Sequence, residues 1–319
     1  MYTVGIDLGG TNIAIGLCDG ELRLVEKAST PTPKDSADAI AEAMARLTKE
    51  IIERNGVMLD ELEYVGIAVP GAASDGDGVV IYTPNLPFRD YPLAAAFKKI
   101  LPVSRVILAN DANAAALGEA LSGSAKGAGS CVTVTLGTGV GGGIIIDGKI
   151  FSGGLNSLGA EIGHTVIVAG GRQCNCGRRG CWEAYSSATA LTNMTEEKMK
   201  ELSLKGISSL LFDEREREGK VSARTAFNAA KRGDPHGKAV VDEYIFYLGT
   251  GIANMINIFQ PEVVSIGGGV SGEREYLTAP LRELVDTEQY TRASEVRTKI
   301  VTATLGNDAG IIGAAGLGR

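Results

Sequence analysis

Long apolar runs are missing from this chain. None approaches the ~20 residues that a membrane-crossing helix requires, so a helical membrane protein is not expected. Basic charge is also short: 31 Lys and Arg stand against 38 Asp and Glu, a net charge of -7. That balance argues against nucleic acid or an anionic membrane as a partner. The five cysteines are an odd number, and Val4-Gly-Ile-Asp7 reads as a strand rather than as a secretory leader. A disulfide framework is therefore not expected, and a reducing, cytoplasmic setting is. Histidine is scarce, with two residues, and tryptophan occurs once. Glycine is the opposite: 43 residues, gathered in clusters. A length of 319 residues allows about two domains, each with its own core.

One of the two histidines and three of the five cysteines lie close together. The run reads Glu161-Ile-Gly-His164, then nine residues, then Cys174-Asn-Cys176-Gly-Arg-Arg-Gly-Cys181-Trp-Glu183. Three thiols and an imidazole at this spacing can close a tetrahedral zinc site with no open position. Such a zinc is structural, with His164, Cys174, Cys176 and Cys181 as its ligands. Cys18 and Cys131 stand apart, in strands. The chemistry then belongs to the groups that the zinc holds in place, and Glu161 and Glu183 bracket it.

The chain also repeats itself. Val4-Gly-Ile-Asp7-Leu-Gly9-Gly10-Thr11-Asn12 runs on to Asp19-Gly20, and Val132-Thr-Val-Thr-Leu-Gly137-Thr138-Gly139 runs on to Asp147-Gly148. Valine, Leu-Gly and the closing Asp-Gly fall at one constant offset. Each copy reads as strand, glycine-rich turn, strand and Asp-Gly hairpin turn. Two such units facing one another would form an interdomain cleft, where small ligands prefer to bind. Backbone N–H groups at Leu8 to Asn12 and at Gly137 to Gly139 can grip phosphate oxygens, with hydroxyls from Thr11 and Thr138. Asp7 ends its strand where its carboxylate could hold Mg²⁺ through water. No Gly-Lys-Ser/Thr follows, so neither turn is a Walker A loop, and a following strand rather than a helix excludes a dinucleotide fingerprint.

Elsewhere the pattern predicts a helix from Ser36 to Asn55, strands at Tyr64–Val69 and Val106–Ala109, and rigid loops at Pro70-Gly71 and Thr83-Pro-Asn85-Leu-Pro87. Ser186 to Leu211 is predicted helical, and the charged run Asp213 to Lys220 a solvated loop. Helices are predicted from Ser222 to Lys231 and from Asp234-Pro235 to Phe259. Val263–Ile266 is predicted to deliver Gly267-Gly268-Gly269 to a helix N-terminus, a place suited to the adenosine and phosphates of a nucleotide. A last small-residue helix after Asn307-Asp308 is expected to pack back on the first domain. The expected division is 1–114 with 308–319 as a small α/β domain and 115–307 as a large α/β domain carrying the zinc loop, the boundary being crossed twice.

Asp111 has two roles open to it. Placed before an alanine-rich helix, it can be the N-cap. Placed at a strand end between Asn110 and Asn113, in a chain with two phosphate turns, it can accept the hydroxyl proton in phosphoryl transfer to an alcohol. The phosphate turns favour the base, and one residue can serve as both.

Together, Asp7-Leu-Gly-Gly-Thr-Asn12, Asn110-Asp-Ala-Asn113, Leu136-Gly-Thr-Gly139, Glu161-Ile-Gly-His164, the cysteine run through Glu183 and Gly267-Gly-Gly269 resemble the ROK family (repressors, open reading frames, kinases) over nearly the whole length. Within it the chain is most similar to the bacterial ATP-dependent glucokinases. The resemblance implies the sugar-kinase/actin-like (ribonuclease H-like) α/β fold, ATP with Mg²⁺, and transfer to O6 of a hexose with Asp111 as base. It implies that Asn110, Glu161, His164 and Glu183 hold sugar hydroxyls, with Gly71 and Asn85 as further contacts. It also implies a homodimer or higher homo-oligomer. Trp182 departs from the pattern, which leads one to expect an aliphatic residue there; packing under the loop is its expected role.

Other readings stay open on the sequence. The sugar can be N-acetylglucosamine, N-acetylmannosamine or allose, although Glu161 weakens the N-acetylmannosamine option. A sugar-sensing repressor would need a helix-turn-helix ahead of the strand at Thr3, and the acidic charge opposes DNA binding. An actin-like structural ATPase would not need the Glu161/His164/Glu183 cluster.

Overall fold

The computed structural model describes residues 1–74, 76–153 and 158–319. In chain order the elements are β1 (Tyr2–Leu8), β2 (Asn12–Cys18), β3 (Leu24–Pro31), α1 (Ala37–Arg54), β4 (Leu62–Val69), β5 (Ala72–Ser74), β6 (Val79–Tyr82), β7 (Arg89–Tyr91), α2 (Leu93–Ile100), β8 (Val106–Asn110) and α3 (Asp111–Ser122). There follow β9 (Ser130–Leu136), β10 (Val140–Ile146), β11 (Lys149–Phe151), α4 (Glu183–Ser186), α5 (Ala188–Lys205), α6 (Leu210–Glu218), α7 (Ala223–Lys231), α8 (Pro235–Phe259), β12 (Val263–Gly267), α9 (Glu275–Glu288), β13 (Lys299–Thr302) and α10 (Ala309–Ala315). Among the described residues no helix is long and apolar enough to cross a membrane.

The repeat seen in the sequence is a repeat of sheet topology. One five-stranded sheet runs β3-β2-β1-β4-β8 and the other β11-β10-β9-β12-β13. In the first, β1 pairs antiparallel with β2 and parallel with β4. In the second, β10 and β11 are antiparallel and β12 and β13 parallel. A small antiparallel sheet, β5-β6-β7, adds to the first half. The two Asp-Gly turns differ. Asp147 and Gly148 have φ 51° and 73° between paired Ile146 and Lys149, a two-residue hairpin turn. Around Asp19 the loop is longer, and the carboxylate accepts from the backbone of Glu21 and Arg23 at 2.9 and 3.0 Å.

Six helices, α1, α3, α5, α6, α7 and α8, start where short polar side chains accept backbone N–H bonds. Ser36 accepts from Ala39 N at 3.1 Å to begin α1, whose Ile40, Met44, Leu47 and Ile51 are buried. Ser187 begins α5, and Asp234 with Pro235 begins α8. The charged run Asp213 to Lys220 corrects the expectation of a loop: most of it is helix α6, capped by Ser209. Its Glu214 is fully buried and pairs with Arg217 and, at 2.7 Å, with Arg232. The helix is anchored by ion pairs in place of an apolar stripe, which the hydrophobic period does not register.

The chain forms two compact units, one of residues 1–133, 143–160 and 303–319, the other of 134–142 and 161–302. It passes between them four times, and the division falls later than the expected 114/115. The cause is α3, which packs within the first unit: a Cβ at Gly313 of α10 would lie 1.6 Å from Ala114 O, and one at Gly118 of α3 would lie 2.4 Å from Ala309 O. The core of the first sheet, Val4, Ile6, Leu8, Ile13, Ile15 and Leu17 with Ile40, Met44 and Ile51 of α1, is wholly buried.

That backbone contact allows no methyl group. Gly313→Ala should cost about 3 kcal/mol or more, the upper end of what overpacking costs. Gly20→Ala, where the nearest atom is Met1 O at 3.7 Å, should stay within about 0.5 kcal/mol, as a surface change does. Urea denaturation of both variants checks the difference, and equal losses would contradict it.

Candidate active site

In the first unit Asp7 sits near the end of β1, and the turn after it is closed by Gly9 N donating to Asn12 O at 2.9 Å. The end of β3 and the loop after it brace this turn. Thr32 donates its hydroxyl to Gly9 O at 2.7 Å and its N–H to Thr11 O at 2.8 Å, and Lys34 Nζ bonds Gly10 O. Thr11 and Asn12 are exposed, so their side chains are open to a ligand. Lys34 places a cation on the turn; no spacing in the sequence announced it.

At the end of β8 the cap is Asn110, a correction to the expectation for Asp111. Asn110 Oδ1 accepts from Ala112 N at 2.9 Å and Asn113 N at 3.2 Å, while its Nδ2 donates to Gly71 O at 2.9 Å. The Pro70-Gly71 loop is thereby tied to the strand end. Asp111 is the first residue of α3, with Oδ1 accepting from Ala112 N at 2.8 Å. Asn85 is exposed on a loop held by Thr83 Oγ1 donating to Leu86 O at 2.7 Å.

In the second unit the Gly137–Gly139 turn is braced differently, by the start of α5. Ala188 N donates to Gly137 O and Thr189 Oγ1 to Thr138 O, both at 2.8 Å. Glu183 presses on the same turn: Oε2 accepts from Val140 N at 3.1 Å, and a Cβ at Gly139 would fall 2.1 Å from that oxygen. Only glycine admits the carboxylate there. Glu161 is exposed and leads directly into the 3₁₀ turn Ile162–His164.

His164, Cys174, Cys176 and Cys181 offer one donor atom each, all within 4.8 Å of one another. Cys174 Sγ is 3.7 Å from His164 Nδ1, and Cys176 Sγ is 3.6 Å from Cys181 Sγ. A zinc tetrahedron with bonds of about 2.3 Å to sulfur has edges of about 3.8 Å, so the residues fit that ion. Glu183 Oε1 lies 3.6 Å from Cys174 Sγ, tying the cluster to the glycine turn. Burial pushes the Cys174 thiol up to about 12 and raises that of Cys181, whereas the Arg178 backbone N–H lowers that of exposed Cys176. A cation among the four residues would make thiolates at the two buried positions favourable.

Gly267-Gly268-Gly269 ends β12 as expected, but a 3₁₀ turn, Gly269–Glu273, follows, and the α-helix begins only at Glu275. Beside Gly269 is a cavity of about 490 Å³ whose lining includes Ala188, Lys220, Ser222, Arg224, Val270 and Glu273. Arg224 and Lys220 were not singled out in the sequence, because nothing in their spacing links them to a glycine loop more than 40 residues on.

The sequence matches the ROK family from residue 3 to residue 319. The chain belongs to the ROK family. It is 37% identical to a glucokinase of Thermotoga maritima over 98% of this chain and 96% of that one. Its structure is similar to that of the ROK hexokinase from Thermus thermophilus, with a TM-score of 0.81 and 33% identity over 99% and 97% of the two chains. It is also similar to a ROK family glucokinase from Streptomyces griseus solved with glucose and AMPPNP, at a TM-score of 0.76 and 33% identity over 99% of each. The fold is the mixed α/β, two-sheet sugar-kinase/actin-like class.

One electrostatic feature of this ROK protein arises from its first unit alone. Burial, and then the nearby Asp111 carboxylate, raise Asp7 from 3.8 to about 6. A carboxylate with a raised folded-state pKa binds its proton more tightly in the folded chain. Its ionisation therefore costs stability, with the loss growing as pH rises from about 4 to about 6. At about 1.36 kcal/mol per unit the ceiling is about 3 kcal/mol. In metal-free protein, Asp7→Asn should therefore gain stability at pH 7.5, by about 1–3 kcal/mol, and gain nothing at pH 4. Denaturant melts of both proteins across pH 4–8 check this; a gain independent of pH would show that the buried charge is not its source.

Proposed function

We propose that this ROK protein transfers the γ-phosphoryl group of ATP to O6 of glucose, with Asp111 as the general base. The observation that carries the reading is Asp111 at the first position of α3, with capping duty taken by Asn110, in a chain similar along its whole length to glucokinases. In the reaction the O6 proton passes to the Asp111 carboxylate, an O6–P bond forms, and the bond from phosphorus to the bridging oxygen breaks. ADP departs with that electron pair. Positioning and charge stabilisation supply most of the rate in such transfers.

The residues assigned to the sugar are Gly71, Asn85, Asn110, Asp111, Glu161, His164 and Glu183. Fixed carboxylates and amides of this kind reject sugars that leave them unpaired. ATP is held by the turn at Gly9, Gly10, Thr11 and Asn12, by Gly137, Thr138 and Gly139, and by Gly267, Gly268 and Gly269, next to the cavity lined by Arg224. Mg²⁺ bound with ATP neutralises phosphate charge, and Asp7 would hold it through water. Zinc held by His164, Cys174, Cys176 and Cys181 is structural: with every position filled by protein it has no site for water or substrate. His164 Nδ1 faces the thiols, which leaves Nε2 for a sugar hydroxyl. The protein works in the cytoplasm as a homodimer or higher homo-oligomer.

Glucose should give the highest kcat/KM in an ADP-release assay against N-acetylglucosamine, N-acetylmannosamine, allose, mannose and fructose. An equal or higher value for any of these replaces glucose as the substrate. Asp111→Asn should lower kcat by about 10²–10⁴-fold, the share a general base supplies, while glucose still raises the melting temperature. Because Asn110 keeps the helix cap, the melting temperature without sugar should hardly change. Near-normal turnover in that variant would remove Asp111 from the reaction.

A further inference from the structure

Trp182 stands between Cys181, a zinc ligand under the proposed function, and Glu183, a sugar contact under the same proposal, on which this inference rests. It is the only tryptophan in the chain. Its side chain is fully buried, and the surface beneath it is bare backbone. A Cβ at Gly251 of α8 would lie 2.0 Å from the indole Cε2, 2.3 Å from Nε1 and 2.4 Å from Cδ2. The ring therefore lies against the helix where a side chain is missing. The indole N–H has no hydrogen-bond acceptor, so shape, and not a polar contact, holds the ring there.

The backbone of Trp182 sets the start of α4. Its N–H donates to Thr165 O at 2.8 Å, and its carbonyl accepts from Tyr185 N and Ser186 N at 3.0 Å, which begins the single turn of that helix. The end of α4 is pinned to α8 separately. Tyr244 Oη donates to Ser186 O at 2.8 Å, and the rings of Tyr185 and Tyr247 stand 4.5 Å apart. Glu183 lies between these anchors, with its carboxylate on Val140 N and beside Cys174. If the indole leaves its seat, the first turn of α4 rotates about its pinned end. Cys181 and Glu183, the neighbours of Trp182 on either side, then move together.

We infer that Trp182 is a positioning residue: its indole, seated on Gly251, holds the zinc loop and the Glu183 carboxylate in register with each other. It touches no reacting atom. Its effect should therefore appear in sugar affinity and metal retention and not in ATP affinity.

Three variants test this. Trp182→Leu removes the ring, Trp182→Phe keeps an aromatic face, and Gly251→Ala deletes nothing but fills the seat. In Trp182→Leu and Gly251→Ala the KM for glucose should rise about tenfold or more, as a displacement of roughly 1 Å allows. The KM for ATP should stay within about twofold, and zinc should pass to a colorimetric chelator faster than from the wild type. Trp182→Phe should restore most of both. Gly251→Ala retains the single tryptophan, so its emission should shift to longer wavelength as the ring is displaced. If Trp182→Leu does not fold, Gly251→Ala and Trp182→Phe decide the matter. Unchanged glucose KM and zinc release in folded variants overturn the inference, whatever the melting temperature. So does a parallel rise in both KM values, which would mean general loosening. A wild type without zinc or without glucose phosphorylation overturns the parent reading, and this inference with it; a wild type with both isolates the seat as the failure.

Discussion

The first unit depends on one close contact: α10 lies on the sheet with almost nothing between backbones. Gly5 on β1 pairs with Gly16 on β2 and with Gly66 on β4, which makes a row of three glycines across three strands. A Cβ at Gly5 would stand 1.9 Å from Ile311 O, and one at Gly66 would stand 1.8 Å from Ala314 O. Tyr64 then ties the helix down, its hydroxyl donating to Ala315 O at 2.6 Å. Glycine costs strand stability, and here the cost secures a fixed distance. On the other side α3 meets α10 through Gly118 and Gly313, so α3 is referenced to the same strands. Asp7 lies two residues beyond Gly5 on β1, and Asp111 begins α3. Burial first, and then the Asp111 carboxylate, raise the pKa of Asp7, and the glycine row fixes the helices against the strand that carries it.

The second unit reaches a comparable result by another route. Its strands repeat the topology of the first, but its glycine turn leans on the start of α5 where the first leans on Thr32 and Lys34. A helix start carries a partial positive charge, and a lysine carries a full one. Each turn is thus paired with a favourable field for phosphate, although the supporting groups are unrelated. The two copies share the strand order and the glycines Gly9/Gly137 and Gly20/Gly148, which are constrained by backbone geometry. The bracing groups need only supply donors, and many residues can do that.

This difference explains what could be read from the sequence. Glycine turns, the hairpin at Asp147-Gly148 and the cysteine spacing were legible because each requires particular residues at fixed short intervals. The helix starts at Ser36, Ser222 and Asp234 were legible for the same reason, whereas the single helix expected from Ser186 to Leu211 is divided, α5 ending at Lys205 before α6 begins at Leu210. The charged segment at Asp213 was not, because α6 is held by Glu214, buried and paired with Arg232 from the end of α7. A partner in another element leaves no local periodicity. Asn110 and Asp111 could not be ranked as cap by residue type, since both are good caps. The bond from Asn110 Nδ2 to Gly71 O decides it, by holding the asparagine in the capping geometry from outside the helix. Lys34 and Arg224 were invisible as site residues on the same principle.

Glu119 shows how far such long-range constraints extend. It lies in the last turn of alanine-rich α3, almost wholly buried, where the sequence suggests only a packed helix. Its carboxylate accepts from Ser124 N and Oγ at 2.7 and 2.8 Å, from Thr304 N at 3.0 Å and from Leu305 N at 2.8 Å. A buried carboxylate is tolerable when it is this fully bonded. The bonds fall where the chain re-enters the first unit, at residue 303, just ahead of α10. Without that segment, Glu119 keeps the Ser124 donors but lacks Thr304 and Leu305, and the glycine row on the sheet has no helix to receive. The first unit therefore cannot complete its core until the last residues of the chain are in place, whereas most of the second unit is one continuous segment, 161–302. Contacts of such long sequence separation form late, because loop closure must come first. The half that carries Asp7 and Asp111 is thus the half whose core must close the longer loop.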